Sequence, residues 1–198
     1  MNESILPLVT FAAVATGTPG GATALATASG ARFGFRRSLP LIVGIALGLS
    51  SLAAAAAIGL AGLLLAVPGL AAIMRVAGTA YLLWLAWMIG MSGSPRAVEG
   101  PGTPTGLIGG ACLLWLNPKG WATALGAAAS FSTLAEGALQ LAALLGTVLG
   151  IAAASSMALW CLGGMVLARL LRTERQWRAV NAGLGLLLAA SILPMWRH

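Results

Sequence analysis

Polar positions are so sparse along this chain that they act as punctuation. Cutting at charges, prolines and turn clusters leaves six apolar stretches: about Leu6 to Ala28, Leu39 to Val67, Leu70 to Met91, Gly106 to Phe131, Gly137 to Ala168 and Ala179 to Trp196. A helix needs about 20 apolar residues to cross a hydrocarbon core of about 30 Å, so each stretch predicts one crossing. The first ends at a basic loop carrying Arg32, Arg36 and Arg37. Only Pro68-Gly69 divides the second from the third, in an uncharged run too long for a single span. The segment from Ser92 to Pro104 is rich in turn formers and holds Arg96 and Glu99, so it reads as a central linker. It divides one transmembrane domain, residues 1–198, into a first half (1–91), a loop (92–105) and a second half (106–198). Arg169 to Arg178 forms a basic loop with an interfacial Trp177 before the last span.

Composition supports this pattern. Of the 198 residues, 59% are hydrophobic and 8% charged, too few charges to cover a soluble globule without large apolar patches in water. The formal net charge of +7 would suggest nucleic acid in a soluble protein. Here the bases lie between apolar stretches, where lipid headgroups are their expected partner and nucleic acid is not. Met1-Asn2-Glu3-Ser4 has an acid and no base, so the first apolar run is kept as a membrane segment rather than a signal peptide. Cys112 and Cys161 lie within apolar runs and read as small buried hydrophobes, which excludes a disulfide scaffold. Lys and Arg concentrate in the first, third and fifth loops, against Arg75 and Arg197 on the other side. The positive-inside rule therefore places loops one, three and five in the cytoplasm and both termini outside.

The two halves share a local signal. Pro19-Gly20-Gly21-Ala22-Thr23-Ala24-Leu25 aligns with Pro118-Lys119-Gly120-Trp121-Ala122-Thr123-Ala124-Leu125, allowing one extra residue. With three spans each, the halves must lie in the membrane with opposite orientation. The expected fold is six transmembrane helices as two inverted three-helix repeats, with helices 1 and 4 broken at Pro19 and Pro118. Freed backbone groups at bilayer depth are tolerated only where protein or a wet cavity satisfies them, and transporters place substrate at such breaks. Gly44 and Gly48 in span two and Gly146 and Gly150 in span five occupy equivalent positions and permit close helix approach.

Lys119 is the one ionisable side chain deep within a predicted span, where burial costs roughly 2.5 to 3.5 kcal/mol on insertion scales. Its ammonium can meet an anionic group such as a substrate carboxylate, or it can serve the carbonyls released by Pro118. Asn117 can orient an amino-acid zwitterion or close the broken turn. Thr16 and Thr18, with Gly17, Gly20 and Gly21, surround Pro19, and their hydroxyls can face a solute or bond back to their own helix. Tyr81, Trp84 and Trp87 are at helical spacing on span three, which suits packing or interface anchoring better than a ligand box. No carboxylate lies within a span, the single His is His198, and no Cys/His metal spacing occurs, so neither a cofactor nor a metal is expected and protease or hydrolase chemistry lacks its groups.

At these residues the chain resembles the LysE/RhtB family of bacterial amino-acid exporters. Thr18-Pro19-Gly20 is similar to the family's motif in the first span, and Gly30-Ala31-Arg32-Phe33-Gly34 to the loop that follows. The run from Arg75 to Leu85 resembles its third span, and Asn117-Pro118-Lys119 its fourth-span motif. Pro19-Gly20-Gly21 stands where the family often has Pro-Gly-Pro, and the intramembrane acid of some members is missing, which argues against a cationic substrate. The resemblance implies a transporter in the bacterial inner membrane that exports a neutral amino acid or a close derivative, with the two halves rocking around a site between Pro19 and Lys119. The alternatives are a carrier of another small solute, or a non-transporting assembly or regulatory subunit. A pure scaffold has no need of a lysine and two prolines at midplane depth. The glycine-rich faces permit a homodimer.

Overall fold

A backbone that cannot bond to water must bond to itself, and the apolar stretches accordingly form helices. In the computed structural model, residues 5–59, 68–91, 104–190 and 192–193 are described. They form seven α-helices and one 3₁₀ turn, Ser132–Leu134, with no strand among the described residues. In chain order the helices are α1 (Leu6–Gly17), α2 (Gly21–Ala57), α3 (Pro68–Gly90), α4 (Leu107–Trp115), α5 (Pro118–Ser130), α6 (Ala138–Leu170) and α7 (Glu174–Ala190). By length and apolarity α6 is sufficient to cross a membrane, and α2, counted end to end through its bend at Gly34, passes the same test. The central linker, including Arg96 and Glu99, and the C-terminal residues Arg197 and His198 lie outside the described residues.

The expected loop after span one is not a loop. Arg32, Arg36 and Arg37 are all helical, and α2 instead folds back at Gly34, where φ is +76° and ψ 173°. Arginine is a good helix former, so charge alone does not end a helix. The reversal is visible in the hydrogen bond between Ser29 Oγ and Ser38 Oγ, 2.7 Å apart, where nine residues of straight helix would span about 13 Å. Gly34 occupies a backbone region open essentially to glycine alone. Gly34→Ala is therefore expected to cost about 1–3 kcal/mol, read as a lowered melting temperature in detergent. An unchanged melting temperature would count against the turn.

Two arms, 21–33 and 35–57, thus take the places of the end of span one and the start of span two. The chain passes Ala152 and Ser156 of α6 at Thr16, Trp160 at Gly17, and Cys161 and Gly164 at Gly30 and Thr27. After the turn it returns along α6, meeting Gly150 at Ala46 and Gly146 at Ser50 and Ala54. α4 runs in parallel with the second arm, Gly44 lying on Leu107 and Gly48 on Ala111. α3 and α7 are antiparallel, with Leu82 and Leu188 together near Gly21 and Gly185 against Ala86 and Gly90. Thr27 and Gly30 meet the last third of α6, so the Gly34 turn and the turn after Leu170 lie at one end of the bundle. Arg32, Arg36 and Arg37 thereby join Arg169, Arg172, Arg175 and Arg178.

Three further expectations change. α6 runs to Leu170 and α7 begins at Glu174, so only residues 171–173 of the last basic loop lie outside a helix, and Trp177 is buried in the bundle instead of lying outward. Cys161 is buried but Cys112 is exposed, because α4 turns its other face to the second arm. The two glycine pairs are used alike in kind but not in degree: a Cβ at Gly44 would fall on the Leu107 carbonyl and one at Gly48 would lie 3.0 Å from the Ala111 α-carbon, whereas at Gly146 and Gly150 the nearest atoms, both of Ser50, would be 3.2 Å away, close but less so.

Candidate functional site

Both breaks fall where the prolines predict. α1 stops at Gly17 and the first arm starts at Gly21, leaving Thr18, Pro19 and Gly20 between. α4 stops at Trp115 and α5 starts at Pro118. Pro118 occupies the first position of its helix, where its missing N–H is not needed, and Asn117 caps that helix by accepting from the Lys119 N–H at 3.0 Å. In the first half Thr23 plays the corresponding part: its hydroxyl accepts from the Gly20 N–H at 2.7 Å and donates to the Gly20 carbonyl at 2.8 Å. Its counterpart Thr123 donates to the Lys119 carbonyl at 2.8 Å.

Carbonyls released by the first break are accounted for one by one. Val14 O keeps its ordinary helical partner, the Thr18 N–H, at 3.0 Å, and the first released carbonyl, Ala15 O, accepts the Thr18 hydroxyl at 3.1 Å. Thr16 O accepts the Ser156 hydroxyl at 2.8 Å, and Gly17 O accepts the Trp160 indole N–H at 3.3 Å. The last, Thr18 O, accepts from Lys119 Nζ at 2.6 Å, and the same ammonium donates to Thr18 Oγ1 at 2.7 Å. Lys119 therefore bridges the two breaks, reaching from the start of α5 to the gap in helix one. At the second break Trp121 Nε1 donates to Trp115 O at 2.8 Å.

Ser156 and Trp160 escape a reading of the sequence. Their signal is only a hydroxyl and an indole N–H within an apolar run, which look like packing until the Thr16 and Gly17 carbonyls are placed beside them. Ser156→Ala leaves the buried Thr16 carbonyl without that donor. The expected cost is about 1 kcal/mol, since hydrogen bonds between helices in membranes are individually modest. Thermal unfolding in detergent against the parent chain checks it, and equal stability would mean that the bond carries no weight.

Between the breaks lies a small cavity of about 40 Å³, enough for about three water molecules. Thr16, Gly20, Thr23, Asn117, Lys119 and Thr123 give it a polar side, and Ile45, Leu49, Leu114, Ala153 and Met157 an apolar one. Four of the residues expected at the site, Thr16, Gly20, Asn117 and Lys119, thus line one cavity. Thr18 is joined to it through Lys119. Gly21 sits just behind, where a Cβ would come within 2.5 Å of Leu188 Cδ1 and 3.2 Å of Asn117 Nδ2. Pro19 and Pro118 mark the gaps and do not line the space. Thr16 also bonds back to its own helix, its hydroxyl 2.8 Å from Ala12 O.

The aromatic residues of α3 are elsewhere. Tyr81 donates to Gly109 O at 3.2 Å and stacks on Trp84, while Trp84 and Trp87 are exposed, as anchoring side chains would be. Among the described residues no cluster of His, Cys, Asp and Glu could hold a metal ion.

A family model described as LysE type translocator matches residues 13–191. No curated relative and no solved structure matches the chain.

Proposed function

The chain belongs to the LysE type translocator family, whose members are membrane exporters of amino acids or similar solutes and not enzymes, and from that premise we propose that this protein exports a neutral amino acid or a close derivative by alternating access. The observation that carries the reading is the convergence of two half-helix N-termini and one ammonium on a single cavity. The first arm begins at Gly21 and α5 at Pro118, and the partial positive charge of these two helix starts favours an anion between them. Lys119 adds a full positive charge at that point. A carboxylate is the group such a site would hold.

The ammonium half of the substrate has its counterpart in Thr18. The carbonyl and hydroxyl of Thr18 already hold one ammonium, that of Lys119. In our reading the solute's carboxylate draws Lys119 away and its ammonium takes the vacated acceptors, with Asn117 keeping the cap rigid beside it. The cavity is too small for an amino acid with Lys119 so placed, so Lys119 has to shift before one can enter. Ile45, Leu49, Leu114, Ala153 and Met157 supply a surface for an uncharged side chain and no group to neutralise a charged one.

Six crossings are the simplest path for this chain. The first arm runs with α6, the second arm and α4 against it, and α7 against α3, which is the alternation that six consecutive spans require. α1 along α6 and α4 along the second arm are corresponding packings if the halves are inverted repeats, and this supports that arrangement. The seven arginines gathered at one end favour the cytoplasmic side for it, in the bacterial inner membrane. The test is export: cells expressing the chain are loaded with a panel of dipeptides and each amino acid appearing in the medium is quantified. Selective release of one neutral amino acid is the expected result. Release no faster than from cells with empty vector, for every amino acid and with membrane expression verified, would overturn the reading.

A further inference from the structure

The resting cavity must open, and the packing of the helices tells which parts can separate. If the two sequence halves rocked as rigid bodies, the tight contacts would lie within each half and the loose ones between. The structure has the reverse arrangement. A Cβ at Gly30 would fall on the carbonyl of Cys161, one at Gly164 on that of Thr27, and one at Gly44 on that of Leu107. A Cβ at Gly110 would lie 2.7 Å from Leu41 O, and one at Gly185 2.7 Å from Ala86 O. Each of these backbone-to-backbone crossings joins a helix of the first half to one of the second.

The hydrogen bonds agree. Ser156 and Trp160 of α6 hold α1 by its last carbonyls, and Trp115 Nε1 of α4 donates to Ser51 Oγ of α2 at 3.1 Å. Among the described residues, contact between α3 and α2 is slight, as is contact between α5 and α6, although each pair belongs to one half. Separating the halves would peel apart nearly every close helix interface. One seam is different: α3 packs chiefly on α7, and this pair reaches the other helices mainly through α2. At that seam Leu82 and Leu188 lie beside Gly21 and Asn117, against the first break.

We propose that α3 and α7 move as one unit against a rigid core of α1, α2, α4, α5 and α6, and that this movement, not rocking of the first half against the second, uncovers Gly21 and Asn117 and so opens a way into the cavity, whose walls belong to the core. Branched side chains sliding over Gly21 can repack at little cost, whereas a glycine-mediated backbone contact has no looser version to adopt. The inference rests on the transport reading given above.

Engineered cross-links distinguish the two motions, in a background with Cys112 and Cys161 replaced by alanine. Gly48→Cys with Ala111→Cys joins the halves within the core, and Gly90→Cys with Gly185→Cys joins them within the moving pair. Both oxidised proteins are expected to export at the rate of the same protein reduced. Tyr81→Cys with Gly109→Cys, bridged by a short bis-maleimide, ties α3 to the core and is expected to lose export on linking. Loss of export on oxidation of either of the first two pairs, restored by reduction, would overturn the proposal, as would full export by the third after linking. Should a cysteine pair fail to fold, spin labels at the exposed positions Val14, Leu159 and Trp87 replace it. The Val14–Leu159 distance is expected to stay constant on adding substrate while Val14–Trp87 changes, and the opposite result would refute the motion. Absence of export by the unlinked parent chain counts against the transport reading and not against this one.

Discussion

Lys119→Met is expected to lower export roughly ten- to a hundredfold while the protein still folds and inserts. Methionine follows the lysine stem as far as Cε and lacks the ammonium, so the packing against Gly20, whose Cβ position lies 3.2 Å from Lys119 Cδ, is kept. What disappears is the donor that Thr18 O and Oγ1 now share and, in the proposed cycle, the anchor for the substrate carboxylate. A hydrogen bond to a charged group contributes about 1.5–3 kcal/mol, which weakens substrate binding roughly ten- to a hundredfold. Export from dipeptide-loaded cells, normalised to protein in the membrane, measures the effect. A rate equal to that of the parent chain would remove Lys119 from the site. Lys119→Arg separates charge from shape, and partial export is expected because the guanidinium is larger and planar.

Gly30→Val is expected to leave little folded protein. The α-carbon of Gly30 crosses the backbone of Cys161 so closely that any side chain would overlap its carbonyl, and Gly164 makes the reciprocal contact with Thr27 one turn away. Backbone cannot swing aside as a side-chain tip can, so relief requires the first arm to move off α6. Overpacking of a tight interior costs about 1–3 kcal/mol where side chains absorb it, and more where they do not. Membrane-inserted protein surviving detergent extraction and gel filtration is the measure. A monodisperse peak of parent yield and unchanged melting temperature would show that this crossing does not hold the bundle. Gly17→Ala is the control, since nothing lies within 4 Å of the position its Cβ would take.

The same contrast explains why the first break can be built at all. A helix interrupted by Pro19 releases several carbonyls at once, and in a membrane none can be left to water. Ser156 and Trp160 take two, Thr18 takes one more through its own hydroxyl, and Lys119 takes the last. Three of these four bonds are structural. The fourth uses an ammonium on a flexible stem, and it is the one that a zwitterion could exchange without opening the rest.

What the sequence by itself determined is everything that depends on one stretch of chain at a time. Hydropathy marks where helices form, Pro19 and Asn117-Pro118 mark where they stop, and Lys119, alone among apolar neighbours, marks itself as a residue needing a partner. These are local properties, set by a missing N–H or by the cost of burying a charge, and neighbouring elements do not alter them. The tertiary structure decided the rest. Gly34 rather than the arginines makes the hairpin, because a positive φ stops a helix and a charge does not. Cys112 faces out while Cys161 faces in, because a helix that is apolar all round gives no stripe to say which face meets protein and which meets lipid, and Trp177 packs inside because the otherwise polar first turn of α7 turns it toward the bundle. The glycine crossings that interlock the two halves are equally silent in the sequence: each depends on which other backbone comes within reach, a relation between distant segments that only the packed bundle specifies.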